Sequence, residues 1–451
     1  MSALLWIIGA VIALMAGGWV FRFAGQQITG NAPKFRDMPF GVAFGYVLGV
    51  AVVVWAIYYY FQPVTTEAGT ANAGVMFFRW AVQGLILSFA AAYLFRQIGR
   101  LIGTEGTKKI FRSMPLTASF GIFVIIVYAF LAVFAGQISF VTIIGIALVG
   151  IFIVEMVRRS SGDSAATALS GIVVVVVAAF TVMFFVGPIA PYGQEEIFPA
   201  ANVIAGGDPA LGGDPNHPLG TDQIGRDILS RLIFGAQNTV GIAFATTCLA
   251  FFIGVTLGLL AAVLGGWLDQ LLSRAVDVLM AIPSLIFALL LMTIASVWAN
   301  EWGVPLTLFM VVIIAVIDST RVFRLARAVG VNIVVMDYIE AAKLRGEGMG
   351  HLIFKEILPN ATAPLLAEFG LRFCFVFLTI AALSFLGVGI QPPLADWGTM
   401  VRDLAAFINY AAFAPMAAVT PLLAAGAIAL LTVAVNFVVD WMLHRSSGLK
   451  E

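Results

Sequence analysis

The sequence predicts an all-α polytopic membrane protein with about eleven membrane-spanning helices, and three observations carry that expectation. Apolar residues make up 61% of the chain and charged residues only 11%, against roughly half and about a quarter in soluble domains. Apolar runs of about 20 residues, long enough to cross a ~30 Å hydrocarbon core as helices, recur along the whole chain. Basic residues concentrate in alternate intervening loops, the distribution that orients membrane proteins. The 24 basic and 24 acidic residues cancel, and this balance gives no sign of a nucleic-acid partner.

The runs lie near 1–21, 39–61, 74–95, 115–134, 138–157, 167–187, 239–264, 278–298, 305–325, 361–388 and 416–441. Only Gln137 and neighbouring small residues separate 115–134 from 138–157, and merging them would give a ten-span chain with everything N-terminal inverted. Eleven spans place the N-terminus outside and the C-terminus in the cytoplasm. All but Arg79, Arg226, Arg231, Arg372 and Arg402 of the 24 basic residues then fall on the cytoplasmic side. The first run has no basic stretch before it, and its positive charge follows it, so it reads as a retained anchor rather than a signal peptide.

Several chemistries have no support. Cys248 and Cys374 both lie in apolar runs, where a thiol behaves as a small hydrophobe. His217, His351 and His444 are far apart, so no HExxH or Cys/His cluster forms and no metal site or cofactor is expected. The chain has no GxxxxGK[ST] loop, no GxGxxG motif opening a helix after a strand and no GxSxG elbow. The expected protein is not an enzyme.

The polar connector RRSSGDSAAT at 158–167 divides the chain. Before it stands a five-helix extension, 1–160, and after it a six-helix domain, 165–451. Within that domain the loop 337–360 is polar and partly helical. Asp337 is placed to cap a short helix holding Glu340, Ala341, Ala342 and Lys343. Gly346 and Gly348 break it, and Leu352, Ile353, Phe354, Ile357 and Leu358 resume an apolar pattern that Pro359 is expected to stop. A helix, a bend and a second helix suit a groove on a soluble partner.

On the outward side, 188–238 is first irregular, with prolines and glycine pairs, and then patterned. Thr221 or Asp222 is expected to cap a helix over 221–235, with Ile224, Ile228, Leu229, Leu232 and Ile233 on one face and Arg226, Asp227 and Arg231 in polar surroundings.

The Glu340-Ala341-Ala342 run, Gly346 and the Leu358-Pro359 pair, in this order and spacing, resemble the EAA loop of ATP-binding-cassette (ABC) importer permeases. The run HPLGTDQIGRDILSRLIFGAQNTV at 217–240 and the patch ALSFLGVGIQPPLADWGTM at 382–400 are similar to segments of the C-type permeases of dipeptide, oligopeptide and nickel importers. Three departures stand out. Gln237 occupies a place where that family usually carries a basic residue, Glu356 one that is usually aliphatic, and Ile380 one that often holds a carboxylate. The first five spans have no counterpart in the family core.

The resemblance implies a type I ABC importer permease core in a bacterial inner membrane. This subunit would form half of a pore for peptide, nickel or another small solute. Its partners would be a second homologous permease, two ABC ATPases that supply the hydrolysis, a periplasmic or lipid-anchored solute-binding protein, and membrane lipid. Coupling to the ATPases would run through Glu340, Ala341, Ala342, Gly346, Leu358 and Pro359.

Ionisable groups inside a bilayer are costly and mark pathways or pairs. Glu368 and Arg372 stand four residues apart on one helical face, either as polar pore lining or as a self-neutralising pair. Asp318 is expected to cap against Arg321. Arg226, Arg231 and Arg402 are the docking candidates for a solute-binding protein. The competing class is an ion-coupled secondary transporter, which requires membrane-centre acids and discontinuous helices in matched repeats; the acids concentrate in the loops instead.

Overall fold

The computed structural model describes residues 58–61, 73–101, 110–136, 147, 151, 173, 177, 181, 188–198, 214–411 and 415–446. Among these residues the secondary structure is helical, with two isolated bridges, Ile197 to Arg226 and Thr221 to Asp227, and no strand. The helices are α1 (Ala73–Leu101), α2 (Leu116–Phe134), α3 (Ile228–Gly235), α4 (Gly241–Leu264), α5 (Gly266–Met280) and α6 (Ser284–Trp302). They continue as α7 (Leu306–Val334), α8 (Asp337–Leu344), α9 (Leu358–Phe385), α10 (Trp397–Leu404) and α11 (Pro415–Ser446). Two π-helical turns, Ala236–Val240 and Leu352–Ile357, lead into α4 and α9.

Among the described residues, seven stretches are long and apolar enough to cross a membrane: Phe78–Arg100, Leu116–Phe134, Ile228–Leu264, Ser284–Trp302, Leu306–Val334, Pro364–Phe385 and Ala417–His444. Each overlaps an expected span. The expected span 1–21, most of 39–61 and all but single positions of 138–157 and 167–187 lie outside the described residues.

Two boundaries shift for a local reason. The run expected at 278–298 starts at Ser284, because Val278–Met280 ends the amphipathic α5 and Pro283 caps α6. Pro305 does the same for α7, and Gly303, in the left-handed conformation at φ +65°, ends α6. Both prolines start helices rather than kink them.

The chain falls into two compact units, Met1–Gln83 and Gly84–Glu451. In the first, the Arg79 guanidinium donates from Nε to the Tyr60 carbonyl at 2.8 Å, and Tyr59 meets Phe78 edge to face at 5.3 Å.

In the second unit, helices approach through small residues, since lipid tails remove any hydrophobic drive between helices. A Cβ on Gly254 would stand 2.7 Å from the Ser319 carbonyl oxygen, and one on Gly258 equally close to that of Phe323. These glycines, four apart, let α4 lie directly on α7. Gly370 on α9 likewise faces Val439 of α11.

Helix α2 belongs to the segment read as an extension, yet it packs within this unit. Gly121 abuts the Ala434 carbonyl of α11, the Tyr128 hydroxyl donates to the Ala427 carbonyl at 3.0 Å, and the Tyr128 ring meets Trp397 edge to face at 5.4 Å. Helix α2 thus packs against α10 and α11 within this unit. An apolar cleft of about 530 Å³ opens between α2, α4, α9 and α11, lined by residues such as Phe244, Phe369 and Val435.

Candidate functional site

The 337–360 loop is a bent element with one face held by the bundle. Helix α8 starts one residue earlier than expected in its capping: Met336 is the N-cap, and Asp337 lies in the first turn, where its charge complements the helix dipole. The helix ends in a Schellman turn. Gly346, at φ +78°, donates to the Lys343 carbonyl at 2.9 Å, and Glu347 donates to that of Ala342 at 3.2 Å.

After the turn, the chain runs through Met349–His351 and the π-helical Leu352–Ile357 straight into α9. Pro359 thus sits in the first turn of α9 and does not stop a helix, since a proline there gives up no intrahelical bond.

Ile339, Ala342, Leu352, Ile353 and Ile357 are buried with Leu259, Ala326 and Leu365 in a small core at this end of the bundle. Glu340, Ala341, Gly346 and Pro359 are exposed, and Leu358 is half-buried. Ala342 is the exception among the coupling candidates, because its methyl faces this chain's own core. The free face of the loop also carries exposed Leu344 and Met349, and Phe354 of the expected apolar pattern is exposed there too. Leu344 is 83% exposed, large for a leucine in a capped helix, and marks an unpartnered apolar point. Glu356 stands 3.7 Å from Arg345 and 3.6 Å from His351, spanning the bend loosely.

The intramembrane charges gather on α7 and α9. Arg372 Nε lies 2.7 Å from Glu368, its Nη1 lies 3.7 Å from Asp318, and its guanidinium stacks 4.6 Å from the Phe375 ring centroid. Asp318 therefore meets Arg372 across the helix interface and does not cap against Arg321, as expected from sequence. The Arg321 guanidinium instead lies 5.8 Å from the same Phe375 ring. Arg372 and Asp318 are buried and Glu368 is partly open, so the pair has both a structural and a lining character. Ile380, at the place of the missing carboxylate, is fully buried.

At the opposite end of the bundle, a cap is stitched from three segments. The helix expected over 221–235 starts only at Ile228, because Thr221 and Asp227 pair in a bridge and Gly225 takes φ +93°. Its cap is Asp227, which accepts from Ser230 N at 2.7 Å and holds His217 Nδ1 at 2.9 Å. The His217 ring lies between Tyr192 and Phe198, at 4.9 and 4.6 Å.

Arg226 and Arg231 are buried, which corrects their reading as surface charges. Asp222 holds Arg226 at 2.7 Å and Arg231 at 3.7 Å, and Arg231 donates to the Gln194 carbonyl at 3.2 Å. Buried charges require such partners. The third docking candidate, Arg402, is partly exposed beside Asp403 at 2.8 Å, and Gln237 is exposed.

The π-turn at 236–240 aims two consecutive side chains the same way. Asn238 donates to the Ala395 carbonyl at 2.7 Å, and Thr239 donates to the Asp396 carboxylate at 2.7 Å. Asp396 also caps α10 by accepting from Thr399 N at 2.9 Å, and Trp397 donates from Nε1 to the Leu232 carbonyl at 2.8 Å. Burial pushes the Asp396 carboxyl above its ordinary value, against the pull of these hydrogen bonds.

Toward the C-terminal end of α7, Arg327 binds Asp269 of α5, with Nη2 2.6 Å from Oδ2, and holds that carboxyl below the usual range.

A bundle of membrane-spanning helices with a bent, exposed loop at one end and a polar cap at the other defines an integral membrane subunit built to meet other proteins. Residues 254–447 match the family of binding-protein-dependent transport system inner membrane components. The di/tripeptide transport system permease protein DppC of Pseudomonas aeruginosa is 34% identical over 245 residues, 54% of this chain and 77% of that protein. The glutathione transport system permease protein GsiD of Pectobacterium atrosepticum is 31% identical over 250 residues, 55% of this chain and 77% of that protein. The dipeptide transport system permease protein DppC of Alkalihalophilus pseudofirmus is 36% identical over 200 residues, 44% of this chain, and the match spans 63% of that protein, just under two thirds of its length. The chain belongs to this family of binding-protein-dependent transport system inner membrane components.

Proposed function

We propose that the chain is the C-type permease subunit of an ATP-driven importer of peptides, contributing half of a translocation pore. The observation that carries the reading is the loop 337–360: its back is fixed to the bundle through Ile339 and Ala342, while Glu340, Ala341 and Leu344 are presented outward around a glycine turn. Such an element transmits displacement, because its anchored face moves the inner ends of α7 and α9 when its free face is pushed. The partners are a second, homologous permease, two ABC ATPases docking at the loop, and a solute-binding protein at the cap. Peptide is the favoured solute because the relatives' names carry di- and tripeptide and glutathione transport.

In this reading the loop faces the cytoplasm and the cap faces outward. The N-terminus lies outside, residues 165–451 form the permease domain, and 1–160 form an extension whose α2 braces it. Docking of the solute-binding protein falls to exposed cap residues, Arg402 and Ile224 among them, with Arg226 and Arg231 holding the cap in shape from within.

An ion-coupled carrier would use intramembrane acids free to bind its ion. Asp318 and Glu368 are instead shared by Arg372. The test is reconstitution of the chain with its companion permease, ATPases and binding protein in vesicles. Peptide uptake that depends on ATP and on the binding protein supports the reading; uptake driven by an ion gradient alone contradicts it.

A further inference from the structure

We propose that Arg321 of α7 and Phe375 of α9 form a contact point for the terminal carboxylate of the solute on the translocation path, which rests on the reading of this chain as a peptide-importer permease. The backs of both helices are taken. Helix α4 covers α7 along Ser319, Val322 and Phe323 through Gly254 and Gly258, and α11 covers α9 at Gly370. The face left over carries Arg321, exposed, and Phe375, 48% exposed.

Arg321 stands fifteen positions after Leu306, the first residue of α7, which at 1.5 Å per residue is about 22 Å along the helix. Counted from Leu306 as the outer edge of the bilayer, that depth falls within the ~30 Å hydrocarbon core, short of the cytoplasmic side on which run boundaries alone counted Arg321. A guanidinium facing lipid there is costly, so the face that bears it turns toward a polar path.

The chemistry selects an anion. Arg372 is already engaged by Glu368 and Asp318, whereas Arg321 has no carboxylate within ion-pair distance among the described residues. Its guanidinium is a planar fork of donors suited to a carboxylate, and it lies over the Phe375 ring at 5.8 Å from the centroid. Every unmodified peptide ends in a carboxylate whatever its sequence, so one point contact serves a whole substrate class. The acids Asp318 and Glu368 nearby keep that contact weak, and a path needs sites that release.

The test uses the assembled transporter in vesicles with its binding protein and ATP. Uptake of L-alanyl-L-alanine is compared with that of its C-terminal amide, each at concentrations saturating the binding protein. The variants are Arg321→Gln, Arg321→Lys and Phe375→Leu. Because binding protein and ATPases are the same throughout, their own preference cancels when the acid-to-amide ratio is compared between variants.

We expect the ratio to fall about tenfold in Arg321→Gln, the loss of roughly one charge-assisted contact, and to fall partway in Arg321→Lys, which keeps the charge but not the planar fork, and in Phe375→Leu. Equal loss for both solutes in Arg321→Gln, the result of a merely structural role or of a partner's acid on Arg321, overturns the proposal. If Arg321→Gln does not assemble, an unchanged ratio in Phe375→Leu overturns it. Wild-type protein that couples to its ATPases yet imports neither peptide would instead defeat the peptide reading on which the proposal stands.

Discussion

Thr239 and Asp396, 157 positions apart, share a 2.7 Å hydrogen bond that joins the entry of α4 to the entry of α10. Both residues are fully buried, and the Asp396 carboxylate also caps α10. Losing a cap costs about 0.5–2 kcal/mol, and leaving a buried donor unpaired adds ~1–3 kcal/mol. Asp396→Ala is expected to lower the melting temperature of the detergent-solubilised chain more than Thr239→Val, which removes the bond to Asp396 and the weaker one that Thr239 accepts from Trp397 N at 3.3 Å but keeps the cap. A fluorescence melt of both variants checks the order, and equal melting of wild type and Asp396→Ala would contradict the role.

The same carboxyl gives a pH dependence. Its folded value is raised above the ordinary aspartate value of about 3.9, so between the two values the folded chain binds more protons than the unfolded one. Stability from this group is then fully present below the ordinary value and is lost as pH rises through the raised one. Asp396→Asn, which does not titrate, is expected to flatten that part of the profile. Melts across mildly acidic pH provide the check.

Gly346 is the hinge of the loop. At φ +78° a side chain is strained whatever the free space around it, and none of its neighbours would block one. A bulky replacement therefore costs about 1 kcal/mol locally, and it redirects the chain after α8. Gly346→Leu should leave the amount of protein in the membrane near normal while reducing transport severalfold and detaching or uncoupling the ATPases. Substrate-stimulated ATP hydrolysis at the wild-type rate would refute this.

Much of this was legible in the sequence. The spans over α2, α4, α7, α9 and α11 follow from run length alone, and the bend at Gly346 from the glycines at 346 and 348 between a short capped helix and an apolar pattern. The cap was not legible. Periodicity extends a helix back to Thr221 because Ile224 and Ile228 fit its stripe, but the local bridge from Thr221 to Asp227 and the more distant one from Ile197 to Arg226 take that segment. Arg226 and Arg231 read as surface charges because Asp222, Gln194 and the 395–404 segment that bury them come together only in the fold. Asp318 was matched with a neighbour in sequence when its partner lay on another helix. The glycines at 254 and 258 were a signal for the α4 and α7 contact, and Leu344 was a signal for an apolar docking point; both were visible and unread.

The bracing role of α2 has its own test. Tyr128→Phe removes the hydroxyl bond to the Ala427 carbonyl, worth about 0.6–1.7 kcal/mol in a membrane interior. Gly121→Leu places a side chain against the α11 backbone at Ala434 and should be the more damaging of the two. Assembly yield of the full complex measures both. A chain that assembles normally with Gly121→Leu would show that α2 is dispensable to the bundle.

The most direct measurement of the central claim is disulfide cross-linking from the loop to an ATPase. In a background with Cys248 and Cys374 replaced by Ser, a single cysteine is placed at Ala341, exposed, or at Ala342, buried against the chain's own core. Ala341→Cys should cross-link to a cysteine in the groove of the ATPase subunit, with a yield that changes when ATP is bound, while Ala342→Cys should not. Cross-linking at neither position in an assembled, active transporter, or equal cross-linking at both, would contradict the account.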